Sequence, residues 1–97
     1  MYDIVLLYVM ELKELVWNDF NSKHILKHKV NKTETEEACN NRKLVLSAKN
    51  KRLLLIGKTK KGRILSIVLD KIKPSKYYIV TARDSSKKER RLISDQK

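Results

Sequence analysis

Residues 43–83 read KLVLSAKNKRLLLIGKTKKGRILSIVLDKIKPSKYYIVTAR, and the fold turns on this stretch. It holds four runs rich in aliphatic and β-branched residues: Lys43–Ala48, Arg52–Lys58, Arg63–Asp70 and Tyr77–Arg83. The connections between them are short and polar, built on Lys49–Asn50, Thr59–Gly62 and Lys71–Lys76. Links of this length join antiparallel neighbours, because a parallel crossover needs about a dozen residues or more. A four-stranded antiparallel meander is therefore predicted. Leu53–Ile56 is apolar at every position, the pattern of a central strand covered on both faces.

Upstream, Glu11–Trp17 alternates imperfectly and predicts a short strand. Asn18 or Asp19 is placed to cap a helix over about Phe20–Lys29, since either side chain accepts hydrogen bonds from free helical N–H groups. Thr33 or Thr35 opens a second helical stretch, TETEEACNN, with acids in its first turn and Asn at its end. Downstream, Ser86 with Glu89 three residues later is a capping box that starts a terminal helix. The expected order is short N-terminal strand or strands, two short helices, the meander and a C-terminal helix. That is an α+β fold with its helices packed on one face of the sheet. No repeat or linker divides residues 1–97, so one domain is expected. Residues 1–9, MYDIVLLYV, fit either an extra strand or an extension upstream of Met10.

The charge is lopsided. Lys and Arg number 23 against 11 Asp and Glu, a formal +12 over 97 residues. Such a field attracts polyanions, of which nucleic acid is the usual one for a protein of this size; an acidic protein partner or a merely solubilising surface also fits. Cys39 is the only cysteine, which excludes an intramolecular disulfide and suits a reducing, cytoplasmic setting. No run reaches the roughly 18 apolar residues a membrane span needs, and the opening segment carries Asp3 without a basic leader.

Symmetrical hairpins would set Lys58 opposite Arg63, and Arg63 near Arg83. Lys58, Lys60, Lys61, Arg63 and Arg83 would then converge at one end of the sheet. The terminal helix would add Lys87, Lys88, Arg90 and Arg91. Like charges facing one another are destabilising, so an anion is expected among them, either Glu89 or a phosphate. The lysines also suit a solvated edge that resists aggregation, whereas the guanidiniums of Arg63 and Arg83 are shaped to grip phosphate bidentately.

His24 and His28 share a helix face with Asn21, between Phe20 and Ile25. Part-buried imidazoles hydrogen-bonded within the fold, or an acid–base group for phosphodiester cleavage, both fit that spacing. A zinc site would need a third ligand, and HILKH lacks the glutamate of the metalloprotease motif. Trp17 reads as a packing residue, and base stacking by Trp17, Tyr77 or Tyr78 has no support from spacing.

Four segments in order resemble the BrnT toxin family: WNDFNSKHILKHKV, EEA at Glu36–Ala38, IGKTKKGRILSIVL and YYIVTARDSSKKERR. The resemblance spans Trp17–Arg91. It implies a RelE-like fold and a toxin that cleaves RNA or otherwise arrests translation. It also implies a ribbon-helix-helix antitoxin as partner, with promoter DNA bound only through the complex, and no cofactor. Carried over by position, the site residues are His24, His28, Arg63, Arg83, Glu89 and Arg90, with the family's Lys-His pair on Lys27 and His28. RNA brings its own nucleophile in the 2′-hydroxyl. Arg63 and Arg83 would stabilise the charged phosphorane and His28 or Glu89 would move a proton, Glu89 having a competing use as the capping carboxylate. A non-catalytic RNA-binding module, or a degenerate toxin that retains only antitoxin binding, are the alternatives. Two features depart from the family: Lys29 stands where its glycine follows the histidine, and Leu92 and Ile93 stand where a tyrosine is usual just after Glu-Arg-Arg.

Overall fold

A computed structural model describes residues 12–94, together with the backbone of Ile4–Val5. The remainder of the opening segment, including Glu11, lies outside the described residues, as do residues 95–97. The element order is β1 (Ile4–Val5), β2 (Glu14–Val16), α1 (Asp19–Lys27), α2 (Lys32–Asn40), β3 (Arg42–Ser47), β4 (Leu53–Lys58), β5 (Ile64–Lys73), β6 (Lys76–Asp84) and α3 (Lys87–Ser94). The strands form one mixed sheet in the order β1-β3-β4-β5-β6-β2. The β3–β6 meander is antiparallel, as its short connections require, and β1 adds to it antiparallel beside β3. β2 instead runs parallel to β6, with Leu15 beside Tyr77. The chain makes that parallel crossing through α1, α2 and the whole meander, so no short loop could have signalled it.

The helices cover both faces, which corrects the one-face expectation. On the first face Ile25 and Val30 from the α1 region and Ala38 and Cys39 from α2 pack on Val45, Leu55, Leu65, Ile67, Leu69 and Ile79. On the second, Leu92 and Ile93 of α3 pack against Leu44, Leu46, Leu54, Ile56 and Val68. The continuous apolar run of β4 required this: Leu54 and Ile56 need cover as much as Leu55 does. α1 and α2 occupy one side, and α3 covers the other.

Caps fix the helix ends. Asn18 caps α1 through a reciprocal pair, its Oδ1 accepting from the Asn21 N–H (2.9 Å) while its own N–H donates to Asn21 Oδ1 (2.8 Å). α2 starts two residues ahead of Thr33's expected cap, because Asn31 and Glu34 form the same box at 2.8 and 3.1 Å. α1 ends before Lys29, which takes a left-handed φ of 60°. That is the conformation a glycine adopts without strain.

Candidate functional site

The β4–β5 turn sets the geometry. Its three-residue loop, Lys60–Gly62, carries Gly62 at φ 92°, and Thr59 stays in the ladder by donating its N–H to the Arg63 carbonyl at 2.8 Å. Buried Thr59 also receives the Arg63 N–H on Oγ1 at 3.0 Å. Lys58 is thereby paired with Ile64, one residue away from its expected partner Arg63. In β6, Arg83 sits opposite Ser66 and Asp84 opposite Leu65. A one-residue shift inverts the face of a side chain. Arg63 and Arg83 consequently lie at the same end of the sheet on opposite faces, and do not converge.

Arg63, on the α1/α2 face, is fully engaged. Its Nε and Nη2 donate to Asp84 Oδ1 and Oδ2 at 2.9 and 3.2 Å, and Nη1 donates to Glu34 Oε2 at 2.9 Å and the Lys29 carbonyl at 2.7 Å. These bonds raise the already high Arg63 pKa, and with the nearby charge of Arg90 they lower that of Asp84. One guanidinium thus ties the exit of α1, the first turn of α2 and the end of β6 together.

Arg83 forms a second knot on the α3 face. Its Nη1 and Nη2 donate to Glu89 Oε1 and Oε2 at 2.7 and 2.8 Å. Glu89 Oε1 also accepts from the Ser66 hydroxyl (2.8 Å) and the Ser86 N–H (2.9 Å), and the Glu89 N–H donates to Ser86 Oγ (3.2 Å). The Arg83 guanidinium, then the Ser86 and Ser66 donors, hold the Glu89 carboxyl down at about 2 against the opposing effect of its burial. A carboxylate so stabilised is ionised at neutral pH and a weak base. Its capping role is fully realised.

The remaining predicted residues surround these knots. Lys60 and Lys61 border a shallow cleft of about 310 Å³ whose far wall is Asn31, Thr33, Glu34 and Glu37. Glu37 Oε1 accepts the Lys60 N–H at 3.2 Å, so the turn is tethered to α2. Lys58 is exposed at the end of β4, and its carbonyl accepts from Asn41 Nδ2 at 3.3 Å. Lys87, Arg90 and Arg91 are exposed on α3, with Arg90 close enough to Asp84 to stabilise its charge. Lys27 and His28 are exposed and His24 is half-buried, the two imidazoles meeting edge to face with centroids 5.3 Å apart. Only Asn21 of that stripe faces inward. It is fully buried, and its Nδ2 donates to the carbonyls of Val16 and Ile79 at 2.9 Å each. This amide fastens α1 across the β2–β6 pairing.

The motif segments touch one another. Gly57 lies so close to α2 that a Cβ there would overlap the Ala38 carbonyl, which joins the IGK and EEA segments directly. Arg63 joins the HKV segment at Lys29 to the TARD segment at Asp84. Sequence reasoning missed Glu34, Asp84 and Asn31. The Asn31-x-x-Glu34 spacing was a usable capping signal, whereas the placement of Asp84 depended on the register. Cys39 is buried, which pushes its thiol up to about 12 and removes it as a nucleophile. Among the described residues no His, Cys, Asp and Glu side chains group so as to hold a metal, and no helix is long and apolar enough to cross a membrane. Comparison with protein-family profiles, with curated proteins and with solved structures returned no match.

Proposed function

We propose that this protein is a BrnT-like, RelE-type toxin that cleaves RNA, arrests translation and is neutralised in the cytoplasm by a ribbon-helix-helix antitoxin. The observation carrying this reading is that the four family-like segments, far apart in sequence, meet at one end of the sheet through the Arg63 bonds to Lys29 and Asp84, the Lys60–Glu37 bond and the close approach of Gly57 to Ala38. Isolated motif matches have no reason to meet in space; parts of one site do. The net charge of +12 supplies the attraction for a polyanion. In this reading the RNA 2′-hydroxyl attacks the adjacent phosphorus. Exposed His28, one residue from the carbonyl that Arg63 holds, moves the proton. Lys58, Lys60, Lys61, Lys87, Arg90 and Arg91 hold phosphates, and Arg63 and Arg83 set the field at the sheet end.

One observation favours a second reading, a family member that binds RNA or antitoxin without cutting. Both guanidiniums already grip carboxylates, and on opposite faces. Induced expression separates the two. A nuclease toxin stops growth and fragments total RNA, is relieved by a co-expressed ribbon-helix-helix antitoxin, and loses product formation on His28→Ala with RNA binding retained. Intact RNA and normal growth in cells holding folded protein would sink the toxin reading.

A further inference from the structure

The rings of Phe20, His24 and His28 follow one another along α1 at four-residue spacing, as a ladder on its outer side. Phe20 is 73% exposed, the most exposed large apolar side chain among the described residues, and contributes nothing to either core cluster. Its ring lies within 10° of parallel to that of His24, with centroids 6.2 Å apart. With Phe20 largely exposed and its ring parallel to that of His24, an unpaired base stacked on the outer face of Phe20 continues the ladder. Of the other large rings near α1, Tyr77 is buried in the core, half-buried Trp17 packs against it, and Tyr78 donates its hydroxyl to Asn18 Oδ1 at 3.5 Å.

The surroundings of the ladder are cationic. Residues 23–32 hold Lys23, Lys27, Lys29 and Lys32 with both histidines and no acid. Lys23 and Lys27 are exposed and stand three positions from Phe20 and His24, within reach of the phosphates that flank a stacked base. Aromatic faces interleaved with lysines match the two demands of single-stranded nucleic acid, π-surface for bases and positive charge for the backbone. A duplex, whose bases are already stacked, offers no free face to such rings.

We infer that the α1 ladder is a stacking platform for unpaired bases of single-stranded RNA, with Phe20 its main contact and Lys23 and Lys27 its phosphate partners. This rests on RNA being the ligand, and it extends that reading by naming the form of RNA taken and a residue, Phe20, that touches it. The ladder runs toward Lys29, where Arg63 grips the backbone, so a strand laid along it is led to the basic end of the sheet.

The test uses the full chain and a fluorescent octa-uridine with 2′-O-methyl riboses, which no 2′-hydroxyl attack can cut, beside its abasic counterpart. Wild type should bind the base-bearing strand about tenfold more tightly than the abasic one. Phe20→Ala should abolish that difference while leaving abasic binding and the thermal midpoint unchanged, and Phe20→Trp should restore it. Equal affinity of wild type for both strands, or a Phe20→Ala protein that keeps the difference, overturns the inference and leaves the ladder as a protein-binding surface. Loss of both affinities together also overturns it. Because the probe cannot be cleaved, a platform without toxicity, or toxicity without a platform, is distinguished by pairing this measurement with induced expression.

Discussion

The two arginine knots use the same bond in different surroundings. Arg63 and Arg83 each grip a carboxylate with two N–H groups at one end of one sheet. The carboxylate that Arg63 grips with two N–H groups, Asp84, is 56% exposed, with Glu34 a second acceptor at 25%; that of Arg83, Glu89, is 10% exposed and also bonded to Ser66 and Ser86. Water reaches the Asp84 carboxylate freely but the Glu89 carboxylate little, although Arg83 is itself 39% exposed against 26% for Arg63, so equal geometry carries unequal weight at the acidic end. The α1/α2 face combines the larger apolar core with a more open ion pair, and the α3 face a smaller apolar cluster with a carboxylate saturated by hydrogen bonds.

Substitutions can break that contrast. The largest effect is expected from Gly57→Ala, whose Cβ would collide with the Ala38 carbonyl and push α2 off the sheet; denaturant unfolding should show a loss of about 3 kcal/mol. Glu89→Gln should cost about 2 kcal/mol by the same measurement, since a charged buried acceptor is replaced by a neutral one. The pH dependence sharpens the point. Glu89 has its carboxyl lowered from 4.5 to about 2 on folding, so its stabilisation is complete above 4.5 and is lost as pH falls toward 2. The wild type should weaken across that acid window, and Glu89→Gln should weaken measurably less. Lys29→Gly should stabilise by about 1 kcal/mol by relieving a left-handed φ of 60° at a non-glycine residue. Asp84→Asn should be the mildest, about 0.5 kcal/mol or less, and more salt-sensitive than the Glu89 variant. If Asp84→Asn instead matched Glu89→Gln, the proposed difference between the faces would fail.

Local patterns were legible in the sequence. The four β runs, the capping roles of Asn18 and Ser86–Glu89, and the double cover of Leu53–Ile56 follow from side chains and their near neighbours. What the sequence hid depended on a turn's residue count or on distant pairing. Counting Thr59–Gly62 as a four-residue loop, where Thr59 pairs with Arg63, set Lys58 opposite the wrong residue. The β5–β6 register, with its shifts at Val68/Leu69 and Lys71/Lys73, is what puts Arg83 opposite Ser66 and away from Arg63. The parallel partner of β2 has no local signature. The hairpin expected to open at Lys71 in fact continues to Lys73, pairs with Lys76 and turns through Pro74–Ser75. In the candidate site the basic residues stood out by type, while Glu34 and Asp84 gained meaning only once folding brought them to Arg63.

The Asn21 amide has a consequence for the order of events in making the protein. Its Nδ2 donates to the Ile79 carbonyl, 58 positions later in the chain, and to Val16 on the strand that pairs with β6. A chain growing from its N-terminus can form α1 early, with the Val16 carbonyl already in place, but the Ile79 acceptor arrives only with β6. Such long-range closure is slow compared with helix formation. The sheet end that gathers Arg63, Asp84 and Glu89 therefore assembles only after β6 and the first turn of α3 have been made, however early α1 forms.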